Sequence, residues 1–572
     1  MTKIAKKLLS LSFLAALTLS CRAPQAQPFS VIPEPSEVTF SDGVFRLAGA
    51  DFVIVDGVSP EVKDAVVSFS EQMKLVSGKT NRISEKSAVG GGRNLSFSVD
   101  STLADEAYSL EITPKRASVK ANSYNGFIFA LQTIGQMLPA QFYGKERAKA
   151  DWVLPCCTIK DAPRFSYRGV LIDVGRHFYS VDEIKRCLDI MSVYKENVFH
   201  WHLTEDQGWR MEVKKYPRLT QVGSLRHGTQ IDFDNTHLRP EDHGGFYTQD
   251  EMREVVAYAA KRGITVIPEL DLPGHMLSAL AAYPELGCTG GPYEVANTWG
   301  VKKDVLCVGK EETFTFLEDV LTEMMDIFPS KYINIGGDEV PKDRWNACPR
   351  CRAKMKELGL YDHDGHTAAQ YLQNYVTARI QKFLNDHGRR IIGWEEILEG
   401  DLAEGATVMT WKGTGENVDS RLWNYDCIMS PRGYMYIDRY QSHEQDREPF
   451  SIGAYLPVEN VYGYEPYDGV PEYGKKRILG VQANLWTEYV NTPEYLEYML
   501  LPRLAALSEV QWVQEGHKDW ERFRKALDHS AAIYDEMGLT YCKYAWGIVG
   551  LPENAQPART PEELQKYLDS RN

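Results

Sequence analysis

Two adjacent carboxylates, Asp338 and Glu339, follow two glycines in the stretch YINIGGDEVP, Tyr332 to Pro341. The β-branched, apolar lead-in reads as a strand and the glycines as its break. Successive side chains of a strand face opposite sides, so neighbouring acids at a strand end are not expected to share one task. Other chemistry-bearing residues accompany similar apolar runs. They are Asp173 and Arg176 at RGVLIDVG; His200, His202, Glu205 and Asp206 at NVFHWHL; and Glu269, Asp271 and His275 at ITVIPELDL. Further on come Trp394, Glu395 and Glu396; Trp411; Tyr434, Tyr436 and Asp438; and Trp486 with Glu488. Carboxylates among indoles suit carbohydrate. Glycoside cleavage needs a carboxylic acid to protonate the leaving oxygen and a second group to stabilise an oxocarbenium-like transition state. Two ordinary catalytic carboxylates face each other across the bond, roughly 5 to 10 Å apart. Neighbours on one turn are badly placed for that, unless one is the acid and the other holds something else on the same side. No serine lies in a nucleophile-elbow context.

The elements that would carry these residues alternate. From Asp161 onward, strand-like runs (RGVLIDVG, NVFHWHL, ITVIPELDL, YINIGGDE, RIIGWEEI, TVMTWKG, CIMSPRG, ILGVQANLWTE) are separated by helical patterns such as VDEIKRCLDIMSVYK, TQDEMREVVAYAAKRG and TFTFLEDVLTEMMDIF. Eight βα units over roughly 350 residues predict an α/β fold, a (β/α)8 TIM barrel, whose active site lies at the C-terminal ends of its strands. A doubly wound sheet would show a glycine-rich phosphate loop after its first strand, and VLIDVGRHFYS is not one. Residues 28–160 mix short strands with helical stretches and lack clustered His, Asp or Glu, so they read as a small, non-catalytic α+β domain. The expected order is therefore 1–21 leader, 28–160 small domain, 161–515 catalytic barrel and 516–572 helical extension.

Composition narrows the class. The chain has 572 residues, 43% hydrophobic and 25% charged, with net charge −15, which argues against nucleic-acid partners. The leader carries Lys3, Lys6 and Lys7 before the apolar run Leu8 to Leu19, too short to span a membrane. Cys21 directly after it resembles a bacterial lipobox. The expectation is export to the periplasm or outer membrane, with a lipid anchor at Cys21 as the membrane link. Setting Cys21 aside leaves nine of ten cysteines, so at least one thiol is unpaired within the chain. Cys348 and Cys351 form CPRC, two ligands where a structural zinc site wants four; a loop disulfide or two inert thiols is the expectation, with no metal and no cofactor. A metal-dependent barrel hydrolase using His200, His202 and His275 is one rival reading. A non-catalytic, glycan-binding surface lipoprotein is another. Bland roles are also in view: His200 and His202 as packed residues, Arg168 paired with Asp173, and one of Glu395 and Glu396 purely structural.

In this order, HWHLTEDQGWR, IPELDLPGH, INIGGDEVP, IIGWEEI, MTWKG and ANLWTE resemble the family 20 glycoside hydrolases, the exo-acting β-N-acetylhexosaminidases. The resemblance spans residues from about 28 to 512, since that family also carries a small α+β domain. It implies a retaining enzyme acting on terminal N-acetylhexosamine, whose own 2-acetamido oxygen is the nucleophile. Position by position, Glu339 resembles the general acid, with a raised pKa. Asp338 resembles the ionised partner that orients the acetamide, and Tyr436 the donor to its oxygen. Trp394, Trp411 and Trp486 resemble the walls around its methyl. Arg176 resembles the donor to O3 and O4, and Asp438 and Glu488 further hydroxyl acceptors. Asp206 and His275 resemble partners that set the ionisation and position of the acid pair. Glu205 has a less secure place.

Overall fold

A computed structural model describes residues 25–86, 91–400 and 404–548. The expected leader with Cys21 lies outside the described residues, as does the expected helical extension beyond 548. Among the described residues, no helix is long and apolar enough to cross a membrane.

The chain first builds a seven-stranded sheet from β1 (Glu37–Arg46), β2 (Asp51–Val55), β3 (Ile83–Lys86), β4 (Asn94–Val99), β5 (Tyr108–Ile112), β6 (Arg116–Ala121) and β7 (Val153–Asp161). Their order is β1-β7-β5-β6-β4-β2-β3. Helix Pro60–Ser77 buries Val62, Val66, Phe69, Met73 and Val76, the three-and-four spacing of a single apolar stripe. That stripe packs in one core with Phe52, Leu95 and Val119 of the sheet and with Phe127, Leu131 and Ile134 of helix Tyr124–Met137.

Eight parallel strands then close into a barrel: β8 (Tyr167–Asp173), β9 (Val198–His202), β10 (Thr265–Glu269), β11 (Tyr332–Asn334), β12 (Arg390–Trp394), β13 (Thr407–Thr410), β14 (Asp426–Met429) and β15 (Ile478–Leu485). The helices between them start where their sequences supply caps. Ser180 and Glu183 form a capping box at helix Val181–Val193, and Thr248 with Glu251 does the same at Gln249–Ala260. Alternate strand residues face inward. Leu171, Val198, Ile267, Ile392, Trp394, Met409 and Ile428 fill the barrel interior, while Val170, Ile172 and Phe199 pack outward against the helices. Helix Trp520–Met537, capped by Asp519, adds Phe523, Leu527 and Tyr534 to the outer layer.

Buried ions join the small domain to the barrel. Lys195 Nζ lies 3.1 Å from Asp161 Oδ2, Tyr108 donates to the same oxygen at 2.6 Å, and Trp512 Nε1 donates to Asp161 Oδ1 at 2.8 Å. Beside them Arg168 pairs with Glu106 of the small domain at 2.8 Å. This corrects the expected Arg168–Asp173 pair: Arg168 belongs to the barrel floor, whereas Asp173 belongs to the mouth and meets Arg176 and Thr487.

Removing one partner of such a pair leaves an unpaired buried charge, at a cost of roughly 3–5 kcal/mol. Asp161→Ala is therefore expected to lower the denaturant midpoint strongly. Asp161→Leu combined with Lys195→Met is expected to destabilise less than the sum of the two single changes. Additive losses in a double-mutant cycle would show that the pair is not coupled.

Candidate active site

The inward period of two decides what reaches the mouth. On β9 the inward residues are His200 and His202; on β12, Ile392 and Trp394; on β13, Met409, with Trp411 two residues on. Continuing the period from Asn334, the last residue of β11, gives Gly336 and Asp338. Gly336 and Gly337 have φ of +61° and +93°. A Cβ on Gly336 would stand 1.9 Å from Asp271 Oδ1, so no other residue fits there. The Asp271 side chain in turn accepts the Gly337 N–H at 3.2 Å. Glu339 is itself left-handed, with φ +52°, a conformation that costs a non-glycine residue of order 1–3 kcal/mol. The kink separates the two acids: the Asp338 side chain is 17% exposed and that of Glu339 41%.

A cavity of about 270 Å³ opens at this mouth. Of the residues singled out from sequence, Arg176, Asp338, Glu339, Trp394, Trp411, Tyr436, Asp438, Trp486 and Glu488 line it. Asp206 and His275 do not; they stand behind the acids. His275 Nδ1 lies 2.8 Å from Glu205 Oε1 and 3.5 Å from Asp206 Oδ2, while its Nε2 lies 3.7 Å from Asp338 and 3.8 Å from Glu339. Asp206 Oδ1 accepts the backbone N–H of Leu277 at 2.9 Å, which holds the turn after His275. The indoles and the phenol form one aromatic wall. Trp394 and Trp486 have ring centroids 5.8 Å apart, Trp411 stacks on Tyr436 at 6.2 Å, and Tyr436 meets Trp486 at 6.1 Å.

Sequence reasoning left Glu205 uncertain, gave Asp271 no role and gave His202 only those of a rival metal ligand or a packed residue, yet all three line the cavity. Glu205 bonds Arg176 at 3.2 Å and His202 at 3.1 Å as well as His275. His200 and His202 both point at Glu269, so the HxH pair is engaged by a carboxylate. Glu395 accepts from Thr410 Oγ1 and the Lys412 backbone, whereas Glu396 accepts from Trp411 Nε1 at 3.2 Å. Both therefore tie down the segment bearing Trp411, and neither lines the cavity. Arg432, Arg439, Ile452, Gly453 and Ala454 complete the lining. For Arg439, Ile452, Gly453 and Ala454, only their place in the long insert after Asp438 could have signalled them; Arg432 lies in the short helix Arg432–Met435 before it.

The electrostatics come from burial. Burial opposes charge on Glu205, but Arg176 and His275 overcome it and hold the carboxyl well below its usual range. Burial likewise opposes charge on His275, but the ionised Glu205 foremost keeps it protonated. Burial and the adjacent Asp338 push Asp271 well above the carboxylate range. Asp338 is raised to about 6, by burial first and then by Glu269, Glu339 and Glu205, with His275 pulling the other way. Asp438 rises to about 7 through burial and Glu488. Asp338 Oδ1, Asp438 Oδ1 and Arg176 Nε have no hydrogen-bond partner among the described residues. A lining of carboxylates, a guanidinium and aromatic faces with unused polar atoms is suited to a polyhydroxylated ring.

A barrel with such a mouth defines a carbohydrate-active hydrolase. Residues 165–515 match the catalytic-domain model of glycosyl hydrolase family 20, and residues 29–162 match that family's domain 2. The chain belongs to this family. It is 40% identical to a β-hexosaminidase of Porphyromonas gingivalis over 538 residues, 92% of this chain and 67% of that one. It superposes with a TM-score of 0.77 and 31% identity on an exo β-N-acetylglucosaminidase of Vibrio harveyi solved with N-acetylglucosamine, covering 92% and 80% of the two chains. A β-N-acetylhexosaminidase of Bacteroides fragilis gives a TM-score of 0.75 at 30% identity, covering 91% and 98%.

The raised Asp338 carboxyl makes a pH prediction. An acid with pKa about 6 is ionised only above that pH. If its charge is needed, kcat/KM should fall about tenfold per pH unit below it. Asp438→Asn should keep this limb. Loss of the limb in that variant would assign it to Asp438 instead.

Proposed function

We propose that the pocket removes a terminal β-linked N-acetylhexosamine from the non-reducing end of a glycan, with retention, using the sugar's own 2-acetamido oxygen as nucleophile. The observation that carries this reading is the division of the adjacent acids: Asp338 turned inward beside the aromatic wall, Glu339 on the more exposed rim. The sugar sits with its acetamide methyl against Trp394, Trp411 and Trp486. Tyr436 donates to the acetamide oxygen, and ionised Asp338 accepts its N–H. The acetamide oxygen attacks C1 as Glu339 passes its proton to the departing aglycone oxygen. Asp338 stabilises the oxazolinium-like cation that results, an interaction that strengthens as charge develops and so acts on turnover. The Glu339 carboxylate then takes a proton from water, which attacks C1 and reopens the ring.

The bound sugar also covers the Glu339 rim. Arg176 donates to the ring hydroxyls, and Asp438 and Glu488 accept from them. The inserts at about 206 to 246, 283 to 310 and 438 to 475 meet the part of the glycan beyond the terminal sugar; Arg439, Ile452, Gly453 and Ala454 of the last insert already border the cavity.

Glu339→Gln is expected to lower kcat by ~10²–10⁴-fold with poor leaving groups and far less with an activated aryl leaving group. Equal losses on both substrates would remove Glu339 from the acid role.

A terminal glucoside or galactoside lacking the acetamide is expected to be essentially inert, although its hydroxyl contacts remain. Losing the enclosed methyl alone would cost only ~1–3 kcal/mol. The first-formed anomer, followed by proton NMR, should be the retained one. An inverted first product, or comparable turnover of the deacetamido glycoside, would overturn substrate-assisted catalysis.

A further inference from the structure

Four cysteines from two separate loops converge behind the acid pair. Cys288 and Cys307 lie in the segment between β10 and helix Glu311–Ile327, the loop that also carries Asp271 and His275. Cys348 caps the N-terminus of helix Pro349–Glu357 and Cys351 lies in its first turn, a short way past Asp338 and Glu339. All four sulfurs are within 4.8 Å of one another. Cys307 Sγ is 3.8 Å from Cys348 and 3.7 Å from Cys351, and Cys288 Sγ is 3.8 Å from Cys351. A disulfide needs its sulfurs about 2.05 Å apart. Sulfurs at the corners of a tetrahedron, each about 2.3 Å from a central zinc, stand about 3.8 Å apart along each edge. The three spacings of 3.7–3.8 Å match such edges, and the other three pairs lie within 4.8 Å.

The surroundings agree. Cys288 is half-buried and the other three are buried, as a closed structural site requires. Gly309 packs against the backbone of the CPRC turn: a Cβ there would stand 2.4 Å from the Arg350 carbonyl carbon and 2.6 Å from Cys351 N. Flanking contacts run along the same seam. Trp345 Nε1 donates to the Leu306 carbonyl at 2.9 Å, and Arg344 pairs with Asp304 at 2.7 Å.

We propose that Cys288, Cys307, Cys348 and Cys351 bind one structural zinc ion that clamps the loop after β10 to the loop after β11. On binding, the thiols give up their protons and the four thiolates close the coordination sphere, leaving no open position for chemistry. The ion would fix the backs of the two segments that carry His275 and Asp271 on one side and Asp338 and Glu339 on the other. Cys348 and Cys351 are not disulfide-bonded, which overturns the expected loop disulfide; under this proposal a zinc site would replace the alternatives of inert thiols and no metal. It stands independently of the substrate assigned to the pocket.

The test uses the full-length protein purified without chelator. Metal analysis is expected to give one zinc per chain, and zinc X-ray absorption a shell of four sulfurs at about 2.3 Å. Alkylation of the denatured, unreduced protein should label all four cysteines. Stripping the zinc should lower the melting temperature, and zinc alone should restore it, because metal binding is coupled to folding. Cys351→Ser should lose the zinc while Glu205→Gln, at the acid cluster of the mouth, keeps it. A disulfide among the four, iron in place of zinc, a nitrogen and oxygen shell, or unreduced protein free of metal would each overturn the proposal. All of these are read on the unmutated chain, so the test stays decisive even where Cys351→Ser fails to fold.

Discussion

A buried carboxylate must be paired or it must give up its charge, and the barrel mouth holds more carboxylates than cations. Asp173, Glu205, Glu269, Asp271 and Asp338 converge there against Arg176, His202 and His275. Glu205 takes the best partners, bonding Arg176, His202 and His275. Glu269, against its burial, is held down by the two histidines of β9. The remaining positive charge is shared by Asp271 and Asp338 across the glycine kink, and both are pushed up. The unequal sharing of three cations leaves one inward-facing acid poised to gain or lose charge in the physiological range. It also leaves that acid's Oδ1 without a protein partner among the described residues. A substrate that brings its own N–H and then its own cation meets a site short of positive charge.

The same constraint shapes the seam below. Asp161, Lys195, Tyr108 and Trp512 satisfy one another in the junction between the small domain and the barrel, and Arg168 answers Glu106 beside them. These groups carry no chemistry on sugar. They fix the small domain as a buttress on the barrel floor, so the mouth at the opposite end is built on a rigid frame. Strain gathers at the mouth, where His275 and Glu339 both hold positive φ. Such conformations persist where surrounding packing over-determines them, and the clamp proposed at the four cysteines lies behind those two loops.

Much of the site was legible because the strand period is a local property. Alternation alone sends Trp394 inward from β12, and continued one step past β13 it selects Trp411. The glycines of GGDE announce a break that packing alone would not ask for, and the structure shows the reason: Asp271 occupies the space where a Cβ would stand. Residues whose roles depend on a second loop were not legible. Glu205 could be placed near a strand end, but its position as the hub of the mouth rests on Arg176, His202 and His275, which come from three different points of the chain. Glu395 and Glu396 could not be told apart until the Trp411 segment lay against them.

The sequence by itself determined the barrel, its small partner domain and the ring of acids and indoles at the strand ends. Each of these arises from short-range periodicity and from residue types within a few positions of one another. Only the tertiary structure decided which acid turns inward and which meets solvent, that Arg168 pairs with Glu106 and not with Asp173, and that CPRC has two further sulfurs beside it. Those outcomes depend on loop closure between distant segments, where geometry, burial and the balance of charge act together, and no window of sequence contains all the partners.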